Sequence, residues 1–198
     1  MLYDIDKCFR SPLGLKGKNV TLRRLSVADA ADMYEYSCRD DVTRYLLWNP
    51  HLSVDQTKKY LKYLQKQYAK GLLYEFAVTL PDGKMIGTCG YAHVDRENSA
   101  VEIGYVINPK YQNNGYATEA VGLCRDFAFY NLCMHRVFCR ILEGNEASRR
   151  VCEKSGLVEE AFLRSALRVK GGFRSYYIYS ALYSGLNDGS DNEKNILK

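Results

Sequence analysis

Nowhere in the 198 residues does an apolar run approach the roughly 20 residues that a helix needs to cross a bilayer, which excludes a membrane-spanning helix. The first ten residues set Asp4, Asp6 and Lys7 among single apolar residues. They lack both the apolar centre of a signal peptide and the acid-free bias of a transit peptide, so a cytoplasmic location is expected. Cysteines number seven, an odd count, and no two of them stand as C-x-x-C. Cys124 and Cys152 sit among apolar neighbours, which predicts reduced core thiols and no disulfide framework. Cys133, His135 and Cys139 straddle a helix end and a strand at no recognised ligand spacing, so no metal is expected. Basic residues never run beyond two in a row. The formal charge of +5 is therefore scattered, and direct nucleic-acid binding is not expected.

What is present is the balance of a packed globular chain, 46% apolar and 26% charged, at a length that suits one core without staples. The pattern predicts a single domain over residues 1–186, with a loose, polar tail over 187–198. Nothing points beyond a monomer or homodimer. A first strand is expected over Val20 to Leu25, followed by a helix capped by Ser26 with Ala30, Met33, Tyr34 and Ser37 on one face. Ser53 and Gln56 form a capping box for a second helix with Thr57, Tyr60, Leu61, Leu64 and Tyr68 inward and Gly71 as its stop. Pro81, Asp82 and Gly83 join two antiparallel strands, Tyr74 to Leu80 and Met85 to Val94.

Val101 to Ile107 reads as a short apolar strand, followed by Pro109, a glycine and a helix from about Ala117 to Asn131. Small residues at Ala117, Ala120, Val121, Cys124 and Ala128 let that helix lie close to a sheet. A strand follows at Val137 to Ile141. Asn145 then caps a helix running to Lys154 with Val151 and Cys152 inward, and Gly156 is its left-handed stop. Two last strands, about Val158 to Val169 and Arg174 to Tyr183, turn at Gly171 and Gly172.

The chemistry concentrates in Val106 to Glu119, VINPKYQNNGYATE, where a loop becomes a helix. Gln112, Asn113, Asn114, Gly115, Tyr116 and Ala117 put consecutive backbone amides there. The first N–H groups of a helix lack internal partners and carry the positive end of its dipole, so a pyrophosphate fits without a side-chain cation.

This loop resembles the coenzyme loop Q/R-x-x-G-x-G/A of the GNAT acetyltransferases. Together with TLRRL at Thr21 to Leu25, IGTCGY at Ile86 to Tyr91 and NEASRRVCEKSGLVEE at Asn145 to Glu160, it resembles the RimJ/RimL group of N-terminal acetyltransferases over about Thr21 to Tyr183. The resemblance implies a mixed α/β fold: a twisted, mostly antiparallel sheet splayed at an acetyl-CoA cleft and flanked by about four helices. It implies that backbone groups of Val106 and Ile107 line the pantetheine arm. By the same resemblance the amides of Asn113 to Thr118 hold the pyrophosphate, and Asn145 with Ser148 flanks the thioester.

Transfer to an amine needs a neutral amine, an oxyanion donor and a proton for the departing thiolate. Glu102, on the strand before the loop, is the candidate base through water. Ser148 resembles the family's hydroxyl near the sulfur and is the candidate proton donor, with tyrosines as alternatives. The expected activity is acetyl-CoA-dependent N-acetylation of a primary amine. A protein's α-amine titrates at about 7.7–8.0 and lysine at about 10.4, so the weak bases here favour an α-amine; the RimJ/RimL resemblance implies the same, the N-terminus of a ribosomal-protein-like acceptor. A small amine such as a polyamine or aminoglycoside, a non-catalytic acyl-CoA-binding module and an RNA-associated protein are the other readings. Ser165, Ala166 and Ser175 stand where several RimJ/RimL relatives carry acids, and Tyr45 to His51 resembles the group's substrate-side segment.

Overall fold

The computed structural model describes residues 14–70 and 74–184. Strand β1 (Leu15–Lys16) leads to β2 (Thr21–Arg24). A 3-10 turn at Val27–Asp29 follows, closed by a reciprocal box in which the Ser26 hydroxyl accepts from the helix backbone and Asp29 accepts from Ser26 N at 2.7 Å. Helices α1 (Ala30–Ser37), α2 (Asp40–Thr43) and α3 (Val54–Ala69) come next. Strands β3 (Tyr74–Thr79), β4 (Met85–Asp95) and β5 (Ala100–Ile107) form a meander. Helix α4 (Tyr116–Tyr130) carries the chain to β6 (Arg136–Leu142), and α5 (Glu146–Lys154) to the hairpin β7 (Val158–Val169) and β8 (Gly172–Leu182).

Among the described residues these strands make one eight-stranded sheet, ordered β1-β2-β3-β4-β5-β6-β8-β7. Every pairing is antiparallel except β5 with β6, the pair joined by the α4 crossover that a parallel connection requires. The fold is therefore the mixed, mostly antiparallel α/β architecture expected from the sequence.

Alternation along the strands divides the core into two. On one face Phe76, Val78, Ile86, Cys89, Val101 and Ile103 pack under α4, whose Ala120, Cys124 and Ala128 are fully buried because their small side chains let the helix settle. On the other face Ala77 and Met85 pack under α1 and α3 through Ala30, Met33, Tyr36, Leu61, Leu64 and Tyr68.

The local differences from the sequence reading have packing causes. Tyr36, not Tyr34, is the buried tyrosine of α1, because the helix is rotated to tuck Tyr36 beneath α3, while Tyr34 reaches out to Leu52 O at 3.4 Å. Gln56 closes the α3 cap on Leu52 N at 2.7 Å, one residue earlier than the capping box expects, while Ser53 accepts from Gln56 N as expected. The short helix α2 has no counterpart in the sequence pattern. The Gly71 stop and the 187–198 tail lie outside the described residues.

Candidate active site

The parallel pairing of β5 and β6 lasts only three residues, Ala100 to Glu102 against Arg136 to Phe138. Beyond that the strands part, and the sheet opens into a V. A cleft of about 640 Å³ occupies the opening. One wall is Tyr105, Val106 and Ile107, whose backbone on the β6 side meets no strand partner. An edge of this kind offers N–H and C=O groups to an extended ligand.

The floor of the cleft is the loop before α4. Asn108 opens it by accepting from Lys110 N at 3.1 Å. Gln112 Nε2 donates back to Ile107 O at 3.0 Å, and Asn114 Nδ2 donates to Gln112 O at 2.9 Å. These amide side chains are therefore spent on holding the loop. Asn113 at φ 64 and Gly115 at φ 81 turn the chain through the left-handed region. No side chain caps α4, and its first internal bond runs from Glu119 N to Gly115 O at 3.0 Å. The N–H groups of Tyr116, Ala117 and Thr118 are left for a ligand, at the positive end of a 15-residue helix. The space beside Gly115 is open, with no atom within 4 Å of where a side chain would begin, so its positive φ is what calls for glycine.

Helix α5 forms the opposite wall through Asn145, Ser148, Arg150, Val151 and Lys154. The Asn145 side chain accepts from Ser148 N at 3.3 Å and so aims the helix start at the cleft. Tyr105 bridges the two walls: its hydroxyl donates to Ser148 O at 3.0 Å and lies 3.7 Å from Cys152 Sγ. Burial pushes the Tyr105 phenol well above its ordinary pKa, so it keeps its proton. Asp41, Val42, Tyr45 and Leu46 close the far end, tied down where Tyr45 donates to Gly144 O at 2.9 Å and Lys170 donates to Thr43 O at 2.7 Å.

The cleft thus gathers Val106, Ile107, Gln112, Asn113, Gly115, Tyr116, Ala117, Thr118, Asn145 and Ser148 from the sequence-derived set. Asn114 stays behind the loop it braces. Glu102 does not line the cleft. It is 7% exposed on the α1/α3 face of the sheet, where Arg140 donates to both its oxygens at 2.8 and 2.7 Å across the fork of the V. Sequence reasoning passed over Tyr105, Arg150 and Lys154. The last two, four apart on α5, share a helical face with the Asn145 end, and that spacing was the available signal. Among the described residues no cluster of metal-ligating side chains occurs, and no helix is long and apolar enough to cross a membrane.

Comparison with known proteins agrees with this geometry. The chain is 29% identical over 175 residues to "Putative ribosomal N-acetyltransferase YdaF" of Bacillus subtilis (strain 168), a match covering 83% of this chain and 92% of the relative. It is 24% identical over 158 residues to spermidine N(1)-acetyltransferase of Escherichia coli (strain K12), covering 79% and 82%. Among solved structures, an acetyltransferase of the GNAT family from Bacillus anthracis superposes with a TM-score of 0.77 at 25% identity, over 86% of this chain and 99% of that one. Residues 19–158 match the acetyltransferase (GNAT) domain, and the chain belongs to that family of N-acetyltransferases.

Proposed function

We propose that this chain transfers the acetyl group of acetyl-CoA to the N-terminal α-amine of a protein acceptor of the ribosomal-protein type. The observation that carries the coenzyme assignment is the set of unpartnered amides at Tyr116 to Thr118 facing a cleft whose other wall is a free strand edge. Together they suit a pyrophosphate followed by an extended amide-bearing arm, with Val106, Ile107 and the Asn113–Thr118 loop as the holding residues. When bound, acetyl-CoA supplies an activated acyl carbon and a thiolate leaving group.

The chain's own contribution is orientation and proton handling. The attacking nitrogen must be neutral, and an α-amine is already so to roughly one part in ten near pH 7, so no strong base is needed. The nitrogen forms the new C–N bond as the C–S bond breaks; its surplus proton passes to solvent water, and the thiolate takes one in return. Tyr105 has committed its hydrogen to Ser148 O, which leaves the Ser148 hydroxyl as the donor at that end of the cleft. Glu102, held by Arg140 away from the cleft wall, acts as a positioning residue that fixes where the V opens. The likeness to a ribosomal N-acetyltransferase supports the protein acceptor, and the likeness to a spermidine acetyltransferase supports a polyamine as the second reading.

The test is CoA release from acetyl-CoA with peptides carrying free or blocked N-termini, spermidine and an aminoglycoside, alongside melting curves with and without acetyl-CoA. Free-N-terminus peptides should turn over fastest. Acetyl-CoA should raise Tm in the wild type, by the equivalent of about 2.7 kcal/mol at a hundredfold excess over Kd, and should fail to do so in Gly115→Glu. Faster turnover of spermidine or the drug than of every peptide defeats the protein acceptor. An undiminished Tm shift in the variant defeats the coenzyme site.

A further inference from the structure

Helix α5 carries its charges on two separate flanks. On the flank turned to β7 and β8, Arg149 donates to Glu146 at 3.0 Å, to Glu159 at 3.1 Å and to the Tyr179 hydroxyl at 3.0 Å, and that hydroxyl lies 3.4 Å from Glu153. Both acids of α5, Glu146 and Glu153, are therefore engaged there. The flank turned to the coenzyme cleft holds Arg150 and Lys154, four residues apart and exposed at the rim. Among the described residues neither of them forms a hydrogen bond or an ion pair. The two acids that line the cleft are already taken: Asp41 accepts from Arg39 at 2.9 and 2.7 Å, and Glu119 accepts from Asn19 N at 2.7 Å and Asn19 Nδ2 at 2.9 Å. The cleft thus keeps two cations with no counter-charge among the described residues.

The fold fixes which end of the cleft these cations serve. Ser155, directly after Lys154, donates from its hydroxyl to Thr118 O at 3.2 Å, and Arg125 donates to Ser155 O at 2.5 Å. The C-terminal end of α5 is thereby pinned to the first turn of α4, where the Tyr116, Ala117 and Thr118 amides await a ligand. Lys154 stands beside those amides and Arg150 one turn before it, while Asn145 begins the helix about 13 Å away at the opposite end. Backbone amides suit a pyrophosphate. A phosphomonoester carries about two negative charges near pH 7 on three terminal oxygens, and it is held best by cations. Arginine offers a planar fork to such a group and lysine a mobile point charge. Coenzyme A carries one phosphomonoester, on the ribose next to its pyrophosphate.

We propose that Arg150 and Lys154 clamp the ribose phosphomonoester of the acyl donor and so set the donor's class, favouring CoA thioesters over those of dephospho-CoA. This rests on the acetyl-CoA reading and deepens it. The α4 amides and the free edge of β5 serve parts that the two donors share, and the two cations serve the one part that dephospho-CoA lacks. A phosphopantetheine arm on a carrier protein lacks that part too.

The test is direct titration of the protein with acetyl-CoA and with dephospho-acetyl-CoA, with the acceptor KM measured alongside. The wild type should bind acetyl-CoA about tenfold more tightly, the gain expected of charge-assisted contacts at an exposed rim, and the gap should narrow as KCl is raised. In Arg150→Gln/Lys154→Gln the affinity for acetyl-CoA should fall to that for the dephospho donor. Lys154→Gln alone should close part of the gap, and Lys154→Arg should keep most of it, because the charge is what matters. Equal affinity of the wild type for the two donors overturns the clamp. So does a double variant that keeps the gap, one that weakens both donors alike, or one that raises only the acceptor KM, which would assign the cations to an acidic acceptor. If the double variant does not fold, an unchanged gap in Lys154→Gln overturns the clamp in its place. Binding of neither donor by the wild type overturns the acetyl-CoA reading itself.

Discussion

Glu75 and Glu102 lie on the same face of the same sheet, and their surroundings differ in one respect that separates their roles. At the fork of the V, Glu102 has a cation: Arg140 reaches across from β6 and occupies both carboxylate oxygens, so the pair spans the place where β5 and β6 stop hydrogen bonding. On β3, facing α1 and α3, Glu75 is only partly buried, and among the described residues no cation pairs with it. A paired buried carboxylate is accounted for by the structure it braces. A partly exposed one without a cation keeps water as a partner, so its cost is smaller.

The largest effect that would break this contrast comes from Arg140→Leu, which leaves Glu102 buried beside no cation. The loss of a buried partner costs about 3–5 kcal/mol, and because Arg140 keeps a third of its side chain exposed, about 3 kcal/mol is expected in urea unfolding. Adding Glu102→Gln should recover much of that loss, because the stranded charge is then gone. If Arg140→Leu is as stable as the wild type, the brace at the fork does not exist.

A smaller effect of opposite sign is expected at Glu75. Burial raises its folded-state pKa, so the folded chain binds that proton more tightly than the unfolded one. The contribution is present at low pH and is lost as pH rises through the folded value. The phenols that face it, Tyr36, Tyr60 and Tyr68, are themselves pushed up and stay protonated across this range. Glu75→Gln should therefore leave stability near pH 4 little changed and raise it by about 1 kcal/mol near pH 8, a Tm increase of about 2–4 °C for a chain of this size. Equal stability of variant and wild type at both pH values would place Glu75 in water.

Least of all should Tyr36→Phe do. It removes a hydroxyl with no hydrogen-bond partner among the described residues, so the variant should be as stable as the wild type or better by up to about 1 kcal/mol. A loss of stability in thermal melts would reveal a partner for that hydroxyl.

The two regions also differed in how far they could be read from the sequence. The cleft side was largely legible because its parts are close together along the chain. Gln112 to Thr118 is one uninterrupted loop and helix start, Asn145 and Ser148 are one cap apart, and the glycine and cap residues carry their conformational meaning locally. Arg150 and Lys154 were within reach of the same reasoning through their i, i+4 spacing. Glu102 was placed on the right strand, but its partner Arg140 is 38 residues away, and no local pattern marks that pairing.

The sequence by itself determined the alternation of strands and helices, the loop that opens a helix with uncapped amides, and the absence of a membrane-spanning helix, since each follows from residues within a turn or two of one another. Tertiary structure alone decided what the charged side chains do. Glu75, Gly90 and Gly104 come from three separate strands, and they line up across one face only because the register puts Glu75 opposite Gly90 and Gly90 opposite Gly104. Whether a carboxylate on that face meets an arginine, as Glu102 does, depends on how the strands are aligned, and a register is a property of the assembled sheet.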